Sequence, residues 1–154
     1  MNVGDKFPDF SLPNQDNEII YSKDLKGTKF VIFAYPRALT SGCTKESCSV
    51  RDHYQEMKDR GVTPFGISND SPAKNKKFAE KHGFQYDLLC DESSELLTKI
   101  GAYGKKKIYG KTYTGTFRYT YIVDEEYKLR KIFKKVNTAE HAQEILIALD
   151  DLGL

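Results

Sequence analysis

The stretch from residue 29 to residue 48 reads KFVIFAYPRALTSGCTKESC, and it predicts a strand, a short loop and the start of a helix. Residues 29–35 are mostly apolar, with β-branched and aromatic side chains, which is typical of a buried strand. A helical sequence begins at about Ser41 and continues to Gly61. Cys43 is therefore expected in the first turn of a helix that follows a buried strand.

The first turn of a helix is a favourable place for an anion. Its backbone N–H groups lack partners within the helix, and the helix dipole places partial positive charge there. We therefore expect the Cys43 thiol to lose its proton readily, and the thiolate is the nucleophilic form of cysteine. Cys48 follows five residues later and gives the first thiol a nearby partner.

The composition is that of an ordinary globular protein and predicts a single domain. The chain has 154 residues, of which 39% are hydrophobic and 30% charged. A net charge of +2 is too small to make nucleic acid or a membrane the expected partner. Residues 99–135 hold eleven Lys or Arg and three Asp or Glu, a local excess of +8. A solvated loop and the wet face of a strand explain this excess most simply, and a polyanion-binding face stays open as the alternative.

The first residues and the cysteine count predict a cytoplasmic protein. Residues 1–5 lack the charged start and apolar run of a secretory signal, and no apolar stretch approaches the length that spans a membrane. The chain has three cysteines, an odd number that a secreted disulfide framework would not favour. In a reducing compartment, a close cysteine pair points to redox or metal chemistry.

Strands alternate with helices along the chain, which predicts an α/β fold with a central mixed sheet flanked by helices. In such sheets the chemistry lies beyond the carboxyl ends of the strands, where Cys43 is expected. Residues 101–115 are expected to form a loop. The other predicted elements are a hairpin within 7–21, strands at 63–68 and 87–91, helices from Pro72 to Gly83 and from Ser93 to Ile100, an antiparallel pair at 117–123 and 129–136, and a last helix from Asn137.

Four interpretations of the Cys43–Cys48 pair compete. The two residues could simply be buried in a helix. A zinc site could gather them with His53 and Cys90, but these spacings match no familiar zinc finger. A cysteine-dependent phosphatase needs an arginine six positions after the nucleophile, where this chain has Ser49. A thiol–disulfide or peroxide-reducing enzyme accounts best for a thiol in the first turn.

Helix geometry constrains any bond between the two thiols. Two Cα atoms five residues apart on an ideal helix are about 8.5 Å apart, whereas a disulfide tolerates about 4.4 to 6.8 Å. If Cys48 resolves an oxidised Cys43, the first turns of the helix must therefore unwind. This segment is poor in strong helix formers, so we predict a wound reduced state and an unwound oxidised state of comparable stability.

The motifs around Cys43 resemble those of the peroxiredoxins, in particular the Q type, also called bacterioferritin comigratory proteins. The signature P-x-x-x-T-x-x-C matches at Pro36, Thr40 and Cys43. The spacing C-x-x-x-x-C to Cys48 is that of the subgroup whose resolving thiol lies in the same helix. Further matches are G-D-x-x-P-D-F-x-L-P at 4–13, G-x-S-x-D-S at 66–71 and R-x-T-x-I-V-D at 118–124.

This resemblance implies a thioredoxin-like fold and the reduction of hydrogen peroxide and organic hydroperoxides. Cys43 would be the peroxidatic thiolate that becomes a sulfenic acid, and Cys48 would condense with it to a disulfide. Thioredoxin or a similar dithiol would then restore both thiols. The resemblance implies neither a cofactor nor a metal.

The resemblance implies catalytic roles for the other motif residues, and these roles suit their chemistry. Arg118 would hold the sulfur and a peroxide oxygen with its fork, Thr40 would offer a hydroxyl to both, and Pro36 would limit water access to the thiolate. Each residue also has a plainer explanation: Pro36 ends a strand, Thr40 caps a helix, and Arg118 lies on the surface of a strand. Their combination with Cys43 favours the catalytic roles.

The chain departs from the family pattern at Ser41, where proline is frequent, and a more polar pocket mouth is expected there. Cys90 is interpreted as a buried core thiol. Because no cysteine follows Cys90, a C-terminal resolving thiol on a second subunit is excluded, which favours a monomer and leaves dimers through other faces open. The rival functions are a general thiol–disulfide oxidoreductase and a redox-regulated sensor or holdase.

Overall fold

A five-stranded sheet forms the centre of the computed structural model, which describes residues 1–154 except for the side chain of Ile108. A 3₁₀ helix at Ser22–Leu25 follows the first two strands. The strands are β1 (Ser11–Pro13), β2 (Ile19–Tyr21), β3 (Lys29–Ala34), β4 (Val62–Ser68), β5 (Asp87–Cys90), β6 (Tyr103–Ile108), β7 (Lys111–Thr116), β8 (Thr120–Val123) and β9 (Leu129–Phe133). The helices are α1 (Ser41–Asp52), α2 (Tyr54–Asp59), α3 (Pro72–His82), α4 (Glu95–Lys99) and α5 (His141–Leu152).

The central sheet is mixed, which confirms the predicted fold class. Its strand order is β5-β4-β3-β8-β9; β3 is parallel to β4, β4 is parallel to β5, and β8 is antiparallel to both β3 and β9. Strand β3 lies in the middle and is buried from Phe30 to Ala34, as expected for a strand covered on both faces. The predicted N-terminal hairpin is confirmed by the antiparallel pair β1–β2.

Alternate residues of β3 contribute to two separate hydrophobic clusters. Val31 and Phe33 belong to the cluster that contains buried residues of α1, α2, α3 and α5. Phe30 and Ile32 belong to the cluster formed with α4 and the N-terminal segment. This alternation follows from the period of two in a strand, and it places helices on both faces of the sheet.

The single helix predicted from Ser41 to Gly61 is wrong, because two helices occupy this stretch. His53 lies between α1 and α2 with φ −115° and ψ 14°, outside the helical region. Its backbone N–H bonds to the carbonyl of Val50, three residues back, and its ring Nδ1 lies 3.0 Å from the carbonyl oxygen of Ser49. Both contacts tighten the chain locally and interrupt the regular helical hydrogen-bond pattern.

The loop predicted at residues 101–115 is also wrong, because β6 and β7 form an antiparallel hairpin there, separate from the central sheet. Its turn consists of Tyr109 and Gly110, which both have positive φ (51° and 77°), as a two-residue hairpin turn of the mirror-image type requires. The strands carry Lys, Gly and Thr rather than alternating apolar residues, so the usual strand signal is missing.

The helix ends agree with prediction at α3 and differ at α5. The Ser71 hydroxyl accepts from the Lys74 N–H at the start of α3, and Gly83 ends this helix with φ 64°, as the capping residues predicted. Helix α5 begins at His141, later than the predicted Asn137. None of the helices in the part of the chain that the structure describes is long and apolar enough to cross a membrane.

Candidate active site

The loop between β3 and α1 positions the peroxiredoxin-like motif. Beyond the end of β3, the Tyr35 hydroxyl donates to Asn75 Oδ1 at 2.7 Å. The Ala38 N–H donates to Asp70 Oδ2 at 2.8 Å. These bonds connect the loop to α3 and to the segment that follows β4, and so fix the position of the loop that leads into α1.

Cys43 lies in the first turn of α1 as predicted, and its side chain is fully buried. Arg118 lies in the segment between β7 and β8 and brings Nη2 to 3.3 Å from Cys43 Sγ. A Cβ on Gly42 would lie 3.3 Å from Arg118 Nη2, tighter than ordinary van der Waals contact, so the glycine allows this close approach. The structure therefore brings together the thiol and the guanidinium, which is arranged to donate to a thiolate.

Glu46 also binds Arg118, and sequence reasoning missed it. Its Oε1 accepts from Arg118 Nη1 at 3.1 Å, and the carboxyl group is fully buried. Burial raises the pKa of Glu46 to about 7, with Arg118 acting in the opposite direction. The sequence feature that could have indicated Glu46 is its spacing, because it follows Cys43 by three residues and therefore lies on the same face of the helix.

Pro36 and Thr40 lie in the segment between β3 and α1, and Thr40 directly precedes the helix. The Thr40 hydroxyl donates to the Arg37 carbonyl at 2.9 Å, and no described hydrogen bond joins it to Cys43. Thr40 occupies the N-cap position of α1, as its plainer explanation predicted, but its side chain makes no capping bond. Both residues line a pocket of about 480 Å³ together with Lys106 and other residues of the β6–β7 hairpin.

Lys106 is a second basic side chain that sequence reasoning did not assign to the site. Burial lowers its pKa, the nearby Arg118 lowers it further, and Cys43 acts in the opposite direction. The hairpin that was expected to be a loop thus supplies one wall of the pocket and adds positive charge near the thiol. Because residues 101–115 were expected to form an irregular loop, the sequence did not predict that Lys106 would lie near Cys43.

Cys48 is half-buried on the same helix, which is intact across both cysteines, and all three cysteines are free thiols. Burial raises the pKa of the Cys48 thiol, with Arg51 opposing. Cys90 lies in β5, where Asn75 Nδ2 is 3.2 Å from its buried sulfur. Among the described residues no group of three or more His, Cys, Asp or Glu side chains is arranged to hold a metal ion.

Comparison with known proteins identifies the family. The sequence profile of the AhpC/TSA family matches residues 3–132. The chain is 38% identical to peroxiredoxin Bcp of Escherichia coli K12 over 146 residues, which cover 95% of this chain and 94% of the relative. The chain belongs to the AhpC/TSA family and is a peroxiredoxin.

Solved structures support the same assignment for this peroxiredoxin. The bacterioferritin comigratory protein of Xanthomonas campestris superimposes with a TM-score of 0.87 at 27% identity, over 92% of this chain and 90% of that one. Peroxidoxin BcpB of Mycobacterium tuberculosis superimposes with a TM-score of 0.86 at 33% identity, over 98% and 97% of the two chains. The resemblance to the Q-type peroxiredoxins and the thioredoxin-like fold are thereby confirmed.

Proposed function

We propose that this peroxiredoxin reduces hydrogen peroxide and organic hydroperoxides through a thiolate at Cys43. The observation that carries the proposal is the 3.3 Å contact between Arg118 Nη2 and Cys43 Sγ, in the first turn of a helix. The Xanthomonas campestris bacterioferritin comigratory protein has alkyl peroxide reduction activity, which is consistent with organic hydroperoxides as substrates of this chain.

In the first step the Cys43 thiolate attacks the terminal oxygen of the peroxide. An S–O bond forms, the O–O bond breaks, and sulfur is oxidised by two electrons to a sulfenic acid while RO⁻ leaves and takes up a proton. Arg118 and the N–H groups of the first turn stabilise the negative charge as it moves from sulfur to the departing oxygen. The pocket lined by Pro36, Thr40 and Lys106 is our proposed binding site for the peroxide, with the Thr40 hydroxyl as a polar group in its wall.

In the second step Cys48 resolves the sulfenic acid. Its sulfur attacks the sulfenic sulfur of Cys43, hydroxide leaves as water, and a disulfide forms. Because α1 is intact between the two residues, its first turns must unwind before the sulfurs can meet. Thioredoxin or a similar dithiol then reduces the disulfide by exchange.

We infer further that the chain acts as a single-domain monomer in a reducing cytoplasm, without nucleic acid, membrane or cofactor. Both proposed reacting thiols lie on one helix, so no thiol from a second subunit is required. The third thiol, Cys90, is buried and hydrogen-bonded to Asn75, which supports a purely structural role.

The test is mass spectrometry of the reduced protein after one equivalent of hydrogen peroxide. A Cys43–Cys48 disulfide with Cys90 alkylated as a free thiol is expected, and Cys43→Ser should leave the peroxide unconsumed. Peroxide-dependent NADPH oxidation with thioredoxin and its reductase then tests the reductant. A general dithiol oxidoreductase would instead form the disulfide with other oxidants and show no preference for peroxide.

A further inference from the structure

A buried imidazole lies behind the Glu46–Arg118 pair. His141, the first residue of α5, is fully buried, and its Nε2 lies 3.8 Å from Glu46 Oε2. Glu46 Oε2 is itself buried and has no hydrogen-bond partner among the described residues. Cys43, Arg118, Glu46 and His141 therefore form a continuous row from the sulfur into the protein interior.

The hydrogen bonds of His141 determine which nitrogen carries its proton. Nδ1 lies 3.0 Å from Glu144 Oε1, and because a carboxylate oxygen can only accept a hydrogen bond, Nδ1 is the protonated nitrogen. Nε2 then accepts from the Thr120 hydroxyl at 2.8 Å. Burial lowers the pKa of His141, which keeps the ring neutral. Since the Nε2 lone pair accepts from Thr120, Nε2 has no proton to donate to Glu46 Oε2, 3.8 Å away, and presents only partial negative charge to it.

The charges around Glu46 do not balance if every acid is ionised. The groups that face it are Cys43 on its own helix, Arg118 before β8, His141 and Glu144 on α5, and Tyr86, whose hydroxyl donates to the Ser47 carbonyl. Among the described residues, Arg118 is the one cation that bonds to both the Cys43 sulfur and the Glu46 carboxyl, whereas Lys106 adds positive charge near Cys43. A second buried anion is costly when it has no cation of its own, and the partial negative charge of the unprotonated His141 nitrogen adds to that cost.

We propose that Glu46 is the proton reservoir of this site, holding a proton while Cys43 is a thiolate and releasing it once Cys43 is oxidised, and that His141 is the residue that positions and tunes Glu46. This inference rests on the proposed peroxidase function. It assigns to Glu46 and His141 no contact with substrate, because both act through Arg118.

The protons and charges balance in this scheme. The reduced site holds S⁻, the Arg118 cation and a protonated Glu46. Attack on ROOH yields S–OH and RO⁻, and the negative charge on sulfur disappears. Arg118 is then free to pair with an ionised Glu46, whose proton offsets the one that RO⁻ takes up to become ROH. The pKa of Glu46, raised to about 7 by burial, is suited to such a change near neutral pH.

The experiment counts protons during a single oxidation. A Cys48→Ser background stops the reaction at the sulfenic acid, and a pH indicator in weak buffer at about pH 6, below the pKa of Glu46, reports net uptake after one equivalent of hydrogen peroxide. Near-zero uptake is expected in this background. Near one proton per peroxide is expected when Glu46→Gln is added, because the amide has no proton to release. The reservoir role of Glu46 would be refuted if Cys48→Ser took up one proton per peroxide, or if neither Cys48→Ser nor the double variant with Glu46→Gln took up any.

The positioning role of His141 has its own readout in the pH profile of this proton count. His141→Asn keeps a donor towards Glu144 and removes Nε2, so Glu46 should ionise more readily and uptake should rise towards one proton at lower pH than in the background. His82→Asn is the control, since this half-buried ring packs against Phe84 away from the site and should leave the profile unchanged. Identical profiles for both variants would remove His141 from the role.

Two further measurements keep the outcome interpretable. Difference infrared spectra should show that a protonated carboxyl band is lost on oxidation, and Glu46→Gln should show no such loss. This measurement does not depend on the folding of His141→Asn. Dimedone labelling of Cys43 shows that the sulfenic acid has formed. No dimedone adduct would refute the peroxidase proposal itself, whereas an adduct accompanied by the wrong proton count refutes the reservoir alone.

Discussion

Replacing Arg118 with alanine removes the cation that faces the proposed nucleophile. At 3.3 Å from Cys43 Sγ, a full charge pair in a medium of effective dielectric about 20 would be worth about 5 kcal/mol. The Arg118 side chain is 25% exposed, so water weakens this interaction, and the net value of a hydrogen bond to a charged group is about 1.5–3 kcal/mol. At about 1.4 kcal/mol per tenfold change in rate, Arg118→Ala should slow peroxide attack about 10- to 150-fold.

The assay is rapid-quench trapping of the Cys43 sulfenic acid with dimedone after a single addition of hydrogen peroxide. Arg130→Ala is the matched control, because this arginine pairs with Asp124 at 3.4 Å and is 37% exposed, outside the site. Arg118→Lys keeps the charge without the fork and should fall between the parent and Arg118→Ala. If Arg118→Ala reacts as fast as Arg130→Ala, the guanidinium does not act on the reacting sulfur.

Three further changes have defined outcomes. Cys48→Ser should allow one turnover and then stop as a dimedone-reactive sulfenic acid; full steady-state turnover with thioredoxin would exclude Cys48 as the resolving thiol. Ser47→Ala should stabilise α1 by about 0.5–1 kcal/mol, because alanine favours helix and the buried Ser47 hydroxyl has no described partner. Disulfide formation, followed by quenched-flow mass spectrometry, should therefore slow about two- to fivefold. The control Ser93→Ala should leave this rate unchanged. Glu46 binds its proton more tightly in the folded protein (pKa about 7) than in the unfolded chain (pKa 4.5). The free energy of unfolding should therefore fall by about 3 kcal/mol between its value below about pH 4.5 and its value above pH 7. Urea unfolding of Glu46→Gln at the same pH values should not show this fall.

The central sheet and the position of Cys43 could be predicted because each depends on local patterns. The apolar run ending at Ala34 and the capping residues Ser71 and Gly83 specify their elements within a few positions. The hairpin β6–β7 could not be predicted in this way. It packs beside the site as a separate ribbon, so it needs no apolar alternation, and its turn at Tyr109 lacks the usual asparagine or aspartate signal.

In the candidate site, too, the residues that belong to a sequence motif could be predicted, and those brought together by packing of distant elements could not. Pairing of Arg118 with Cys43 followed from a motif, because the family pattern includes both residues. Glu46 and His141 were missed, since neither a helical spacing of three nor a histidine at the start of the last helix indicates a ligand by itself. What brings them together is the packing of α5 against α1, where the Ser49 hydroxyl accepts from the Ala142 N–H at 3.0 Å.

The interruption at His53 limits how far a redox-driven rearrangement can spread. Helix α2 is a separate hydrogen-bonded segment, and Met57 fixes it in the interior with no exposed surface. Melting that starts at Ser41 therefore meets a boundary before it reaches α2 and the strand that follows. On the proposed mechanism, the chain would pass through its oxidised form with most of its apolar interior still buried, and each cycle would avoid the aggregation hazard that accompanies global unfolding.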